Sequence, residues 1–221
     1  MTVKNCFNKA AIIYDNNCDL QLRTGEKLLN LAEKKNKVID LGCGTGVITS
    51  KIKFNKLYAL DISEKMLKKA QESLTNRNVT FLESSFDNFS GFELDLAFAN
   101  MSLQWSEDLN LTLNNIKNNL KKEGILLFSI PLEGTFSDLP VNIMTFLSMR
   151  QVKEMLENWE IIYASTEEIH YVFPSLIDSL RSIKSVGANY CKSDKNRKLI
   201  PREKESHILK YNIGYFKVKK I

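Results

Sequence analysis

Val38-Ile39-Asp40-Leu41-Gly42-Cys43-Gly44-Thr45-Gly46 is the stretch that decides the fold. An apolar run enters a turn with three glycines at alternate positions. Strand, glycine-rich turn, helix is the order that lets backbone N–H groups approach a ligand closely at the carboxyl end of a first strand. Dinucleotide-binding turns space their glycines as G-x-G-x-x-G, whereas here Val47 occupies the place of the third, which disfavours a nicotinamide cofactor. The next strand, Lys56–Asp61, ends in Asp61, a carboxylate positioned to accept hydrogen bonds from ribose hydroxyls. Together they support an adenosyl ligand without naming it.

Outward from the loop, residues 38–130 alternate short β-rich runs with helical patterns, which predicts a parallel sheet with crossover helices. The strands read as Val38–Leu41, Lys56–Asp61, Val79–Glu83, Leu94–Ala99 and Ile125–Ile130. Leu67, Ala70 and Leu74 recur at helical spacing after Ser63, and Leu109, Leu113, Ile116 and Leu120 after Asp108. An earlier helix, about Asp19 to Lys34, precedes the first strand as an N-terminal cover. Beyond Pro131 the spacing predicts a loop, a helix carrying Val152, Met155, Leu156 and Trp159, and a strand at Ile161–Ala164 that continues into Ile169–Phe173. A helix from Ser175 to Val186 follows, stopped by a left-handed Gly187, and then an antiparallel strand at Tyr211–Val218. The expected architecture is α/β: a Rossmann-like, mostly parallel seven-stranded sheet with helices on both faces. One domain, 1–221, is expected, with a helical cover at 1–36, a ligand-binding core at 37–130 and substrate-side elements at 131–221.

The 221 residues are 43% hydrophobic and 26% charged, values of an ordinary globular chain rather than a disordered one. Cys6, Cys18, Cys43 and Cys191 have no paired spacing, so neither a zinc site nor a disulfide framework is expected. His170 and His207 lack metal-like partners, and no metal is expected. No apolar run approaches a membrane span, and a cytoplasmic location is expected. A net charge of +5 is modest, and a lysine-rich solvated surface accounts for it as readily as an anionic partner does.

The 38–46 stretch resembles the first motif of class I S-adenosylmethionine methyltransferases. Leu60-Asp61-Ile62-Ser63 with Met66-Leu67 resembles their second motif, and Leu120-Lys121-Lys122-Glu123-Gly124 their turn into the fifth strand. The resemblance implies S-adenosylmethionine as cofactor, with Gly42, Gly44 and Gly46 shaping the cradle, Asp40 holding the amino group and Asp61 the ribose. It also brings Ile62, Met66, Gln21 and Asn100 to the cofactor. Many relatives carry an acidic residue after the third strand where Ser85 stands, so the adenine contact is left open among Ser85, Phe86 and Asp87.

Ala99-Asn100-Met101-Ser102-Leu103-Gln104-Trp105 lacks the Asn/Asp-Pro-Pro-aromatic pattern of nucleic-acid amino-methyltransferases, which disfavours nucleic acid as acceptor. It resembles instead the malonyl-acyl carrier protein O-methyltransferases of biotin synthesis. The likeness extends to Phe7-Asn8-Lys9-Ala10-Ala11, Tyr14-Asp15 and Leu20-Gln21, to Glu133–Leu139, and to Leu180–Ala188. A malonyl carboxylate, with a reference pKa of about 4, is already an anion, so alignment and water exclusion rather than a general base would carry the transfer.

On this reading Tyr14 and Gln104 are candidates for closing the transfer chamber. Trp105 is a candidate wall, with plain core packing as its alternative. Arg181 and Lys184, one turn apart on a helix, are candidates for gripping an anion. The expected partner is malonyl-loaded acyl carrier protein, and the basic tract Lys192, Lys195, Arg197, Lys198, Arg202 and Lys204 is a docking candidate. A monomer is expected. The cofactor motifs alone equally allow a class I methyltransferase acting on a small metabolite or quinone.

Overall fold

The computed structural model describes residues 2–75, 77–140, 144–188 and 205–221. Its frame is one seven-stranded sheet: β1 Lys35–Leu41, β2 Phe54–Asp61, β3 Val79–Glu83, β4 Leu94–Asn100, β5 Leu120–Pro131, β6 Trp159–Phe173 and β7 His207–Lys220. The order is β3-β2-β1-β4-β5-β7-β6. Strands β1 to β5 pair in parallel, and β7 runs antiparallel between β5 and β6. The order reverses at β1 and β4, and a parallel sheet opens a crevice beyond the carboxyl ends of its strands at such a point. Gly42–Gly46 leaves β1 there and Met101–Trp105 leaves β4 there.

The helices are α1 Val3–Ala10, α2 Asp19–Leu29, α3 Glu64–Ser73, α4 Leu109–Asn119, α5 Met149–Met155 and α6 Leu176–Ser185. Side-chain caps begin several of them: Ser63 accepts from Met66 N–H, Asp108 from Leu111 N–H and Ser175 from Asp178 N–H. Alternate residues of the strands face opposite layers. Val38, Leu57 and Phe98 pack with Leu28 of α2 and Leu67 of α3, while Ile39, Leu126 and Phe128 pack with Leu113 of α4 and Val152 of α5. Helices therefore cover both faces, as the alternating pattern implied.

Three local expectations change. No α-helix follows the glycine loop: a single 3₁₀ turn, Thr49–Lys51, leads into β2. Residues 47–53 span about 24 Å extended but about 10 Å as a helix, and β1 itself rises about 23 Å, so a helix there could not return the chain to the start of β2. Helix α2 fills that layer instead, and Gly25 lies so near Ile48 that a Cβ would come within 2.6 Å of it. Second, α2 stops at Leu29 rather than Lys34. The chain turns through Asn30–Ala32 so that Lys35 N–H can bond Lys53 O and open β1. Third, Trp159 belongs to β6, paired with Lys220, although it joins Val152 and Leu156 in the core from the strand side.

Candidate active site

Gly42, Gly44 and Gly46 all adopt positive φ, 79°, 56° and 84°, where a side chain is strained. Their surroundings differ. A Cβ at 42 would meet Ser102 Cβ at 2.6 Å, because the Ser102 hydroxyl donates to Leu41 O and clamps the turn after β4 onto the loop. A Cβ at 44 would meet nothing within 4 Å. A Cβ at 46 would press on Ala70 of α3 at 3.1 Å, so Gly46 serves helix packing. Gly42 and Gly44 border a cavity of about 40 Å³ with Tyr14, Gln21, Asp40 and Asn100.

Two buried carboxyls flank that backbone. Asp40 accepts the Thr49 hydroxyl at 2.6 Å. Burial pushes its pKa up to about 7 against that hydrogen bond, with the charge of Asp61 adding to the rise. Asp61 accepts Gly44 N–H at 2.9 Å and Ser63 N–H at 2.8 Å. Burial raises it to about 6 despite these donors. The pair disfavours anions and suits a ligand that brings positive charge and hydroxyl donors.

A second cavity, about 210 Å³, adjoins the first: Tyr14 and Gln21 line both. Its walls are largely aromatic. Phe136 stands edge-on to Phe146 and Tyr211, with centroids at 5.8 and 5.1 Å. Phe7 stands edge-on to Trp105 at 5.6 Å. Among the described lining residues Asp19 is the one formal charge. Tyr14, in the 3₁₀ turn Tyr14–Asn16, makes no hydroxyl hydrogen bond to a described residue, and burial raises its pKa with help from Cys18 and Asp61. Gln104 donates from Nε2 to Met101 O at 2.8 Å, while the Oε1 atoms of Gln104 and Gln21 are buried without a described partner.

Asn100 borders the smaller cavity and its amide makes three hydrogen bonds: Nδ2 donates to Gln21 O, and Oδ1 accepts from Thr24 and Ser129. It ties α2 to β4 and β5. Met66 is buried beneath Ala10, Ala11, Phe7 and Tyr14, so α1 and the following loop close over the α3 side of the site. Asp61, Ile62, Met66, Ser85 and Phe86 line neither of these two cavities. Ser85 bonds Asp87 at 2.9 Å, and Phe86 packs on the core.

Arg181 and Lys184 are not brought to the chamber. Helix α6 turns Ile183 and Ser182 toward it, while Arg181 is 74% exposed and paired with Asp178. The tract from Lys192 to Lys204 lies outside the described residues. Sequence reasoning passed over Met101, whose φ of 52° is unusual for a non-glycine residue and which lines the chamber. It also passed over the wall of Phe146, Tyr171, Phe173 and Tyr211, where each residue alone reads as ordinary strand or loop packing.

A family model described as "Methyltransferase domain" matches residues 32–196. Malonyl-acyl-carrier protein O-methyltransferase 2 of Coxiella burnetii is 35% identical over 99% of this chain and 96% of its own length. Malonyl-acyl-carrier protein O-methyltransferase of Hamiltonella defensa is 28% identical over 85% of this chain and 78% of its own. Among solved structures, N-methyltransferase NodS from Bradyrhizobium japonicum, in complex with S-adenosyl-L-homocysteine, superposes with a TM-score of 0.63 over 100% of this chain and 99% of its own, at 13% identity. At that identity the likeness speaks for the fold.

Proposed function

We propose, from the premise that this chain belongs to the malonyl-acyl-carrier protein O-methyltransferase family, that it takes a methyl group from S-adenosylmethionine and esterifies the free carboxylate of malonyl-acyl carrier protein, the ester that starts biotin synthesis. The observation that carries the reading is the 35% identity over nearly the whole of both chains. An alignment of that extent spans the cover, the chamber and the late helix, not the cofactor loop alone.

The residues present suit the cofactor. The backbone at Gly44 faces open space. Gln21 brings an unpartnered amide oxygen and Asp40 a carboxyl to the smaller cavity, acceptors for an ammonium group, and Asp61, bonded to Gly44 N–H beside that cavity, is the acceptor for ribose hydroxyls. S-adenosylmethionine, when bound, supplies an electrophilic sulfonium methyl.

The chain's own contribution is geometric. The malonate oxygen forms the new bond to the methyl carbon as the carbon–sulfur bond breaks, its electron pair going to sulfur, and no proton moves. No base is required. Tyr14 and Gln21, lining both cavities, stand where acceptor and donor approach each other and hold the line of displacement. The aromatic wall excludes water that would otherwise solvate the carboxylate. Recognition through amides and hydroxyls rather than a tight cation pair leaves the attacking oxygen its electron density.

Incubation with malonyl-acyl carrier protein and S-adenosylmethionine, followed by intact mass, is the test. A gain of one methyl on the carrier is expected, and its absence sinks the reading. Turnover of free small acids or quinones without turnover of the carrier thioester would point to a different acceptor.

A further inference from the structure

Ile12 and Ile13 follow α1 and are 74% and 47% exposed. Their loop continues through Tyr14 to Asn16 and Asn17, which line the chamber, so the isoleucines stand beside the chamber's rim. Two adjacent β-branched apolar side chains there make a small exposed apolar patch at the rim.

Their surroundings are basic. Lys69 of α3 donates to Ile12 O at 3.4 Å and pairs with Asp15, and Lys65 N–H reaches Asn8 of α1. The end of α1 therefore lies against the first two turns of α3. Lys65, Lys68 and Lys69 share one face of that helix. Lys9, Lys65 and Lys68 are exposed and make no ion pair with a described residue. Glu64 and Glu72, also exposed on α3, offset part of this charge.

We propose that Ile12 and Ile13, with the exposed Lys9, Lys65 and Lys68 on the adjoining ends of α1 and α3, are the surface on which the acyl carrier protein docks while its prosthetic arm delivers the malonyl group past Asn16 and Asn17. The inference rests on the malonyl-carrier reading. It commits to the carrier because that partner is acidic, which matches the lysines, and because an arm-borne substrate must be presented at the chamber mouth. Apolar contact at the centre with a charged rim is the usual division of labour: the centre holds, the rim steers.

The test compares wild type with Ile12→Glu and, separately, Lys68→Glu, reading KM and kcat for malonyl-carrier protein, the Kd for S-adenosylmethionine by calorimetry, and sedimentation. Methyl transfer by the wild type is established first, and its absence would be a failure of the functional reading rather than of the docking surface. Given that transfer, Ile12→Glu should raise the carrier KM about tenfold, and Lys68→Glu should raise it less and only at low salt. The kcat and cofactor Kd should stay unchanged. An unchanged KM for Ile12→Glu overturns the proposal. So does parallel weakening of cofactor binding, which would make the loop structural, or conversion of a wild-type dimer to monomer, which would assign the isoleucines to a second copy of this chain.

Discussion

The Phe7 ring stands edge-on to the Trp105 indole, planes at 86°, and a Cβ on Gly187 would fall 2.8 Å from Phe7 Cδ1. Helix α1, the turn after β4 and the turn after α6 thus meet at one ring. Such pairs contribute about 0.5–1.5 kcal/mol beyond area burial. Phe7→Ala should therefore loosen the cover and raise the KM for acceptor several-fold, with a smaller effect on stability. Gly187→Ala adds strain at φ +80°, about 1–2 kcal/mol, and should lower Tm by about 2–8 °C in thermal denaturation.

Gly42 and Gly44 should separate fold from binding. Gly42→Ala drives a methyl into Ser102, so both stability and cofactor affinity should fall. Adding Ser102→Gly should restore part of the stability, since the positive φ remains. Gly44→Ala meets no protein atom. It should cost about 1–2 kcal/mol of backbone strain and yet abolish measurable cofactor binding in calorimetry.

Asn100 joins three segments through one amide. Asn100→Ala leaves the buried Thr24 and Ser129 hydroxyls and Gln21 O without that partner, at about 1–3 kcal/mol for each group that finds no substitute. Urea denaturation should show a lower midpoint. Asn100→Asp should fare no better, because the donor to Gln21 O is lost.

Asp40 and Asp61, raised to about 7 and about 6, lie above the unfolded value of 3.8. The folded chain therefore binds their protons more tightly than the unfolded chain does. Their contribution to stability is fully present below the unfolded pKa and is lost as pH rises through about 6 and about 7. A cationic cofactor reverses the sense, since it favours the ionised carboxyls. The thermal shift produced by S-adenosylmethionine should grow as pH rises toward 7.5 or so, and Asp40→Asn should flatten that growth.

The glycine turn was legible because positive φ at alternate positions needs glycine at particular adjacent places in the chain. The caps at Ser63 and Asp108 were equally local. The chamber was less so. Tyr14, Trp105, Phe136, Tyr171 and Tyr211 come from separate segments, and an aromatic in a strand or loop is by default core packing until the fold shows space beside it. Arg181 and Lys184 are candidates on their mutual spacing and on the resemblance of Leu180–Ala188, neither of which says which face of the helix meets the chamber. The buried set Leu176, Ser179, Ile183 and Val186 places the two charges on the opposite face of α6. The truncated crossover after Gly46 followed from a count of residues that local motif matching ignores.

Strand β7, drawn from residues 207–220, lies between β5 and β6 and is the hydrogen-bonding neighbour of both. During synthesis the edge of β5 and the whole of β6 therefore wait, unpaired, for a segment made after all their other neighbours. The half of the sheet that carries the glycine loop can assemble while the half that completes the larger cavity, Tyr171, Phe173 and Tyr211 included, is still an exposed edge open to chaperones or to aggregation. Birth order on the ribosome thus separates in time the assembly of the sheet half that carries the glycine loop from that of the half that completes the aromatic chamber.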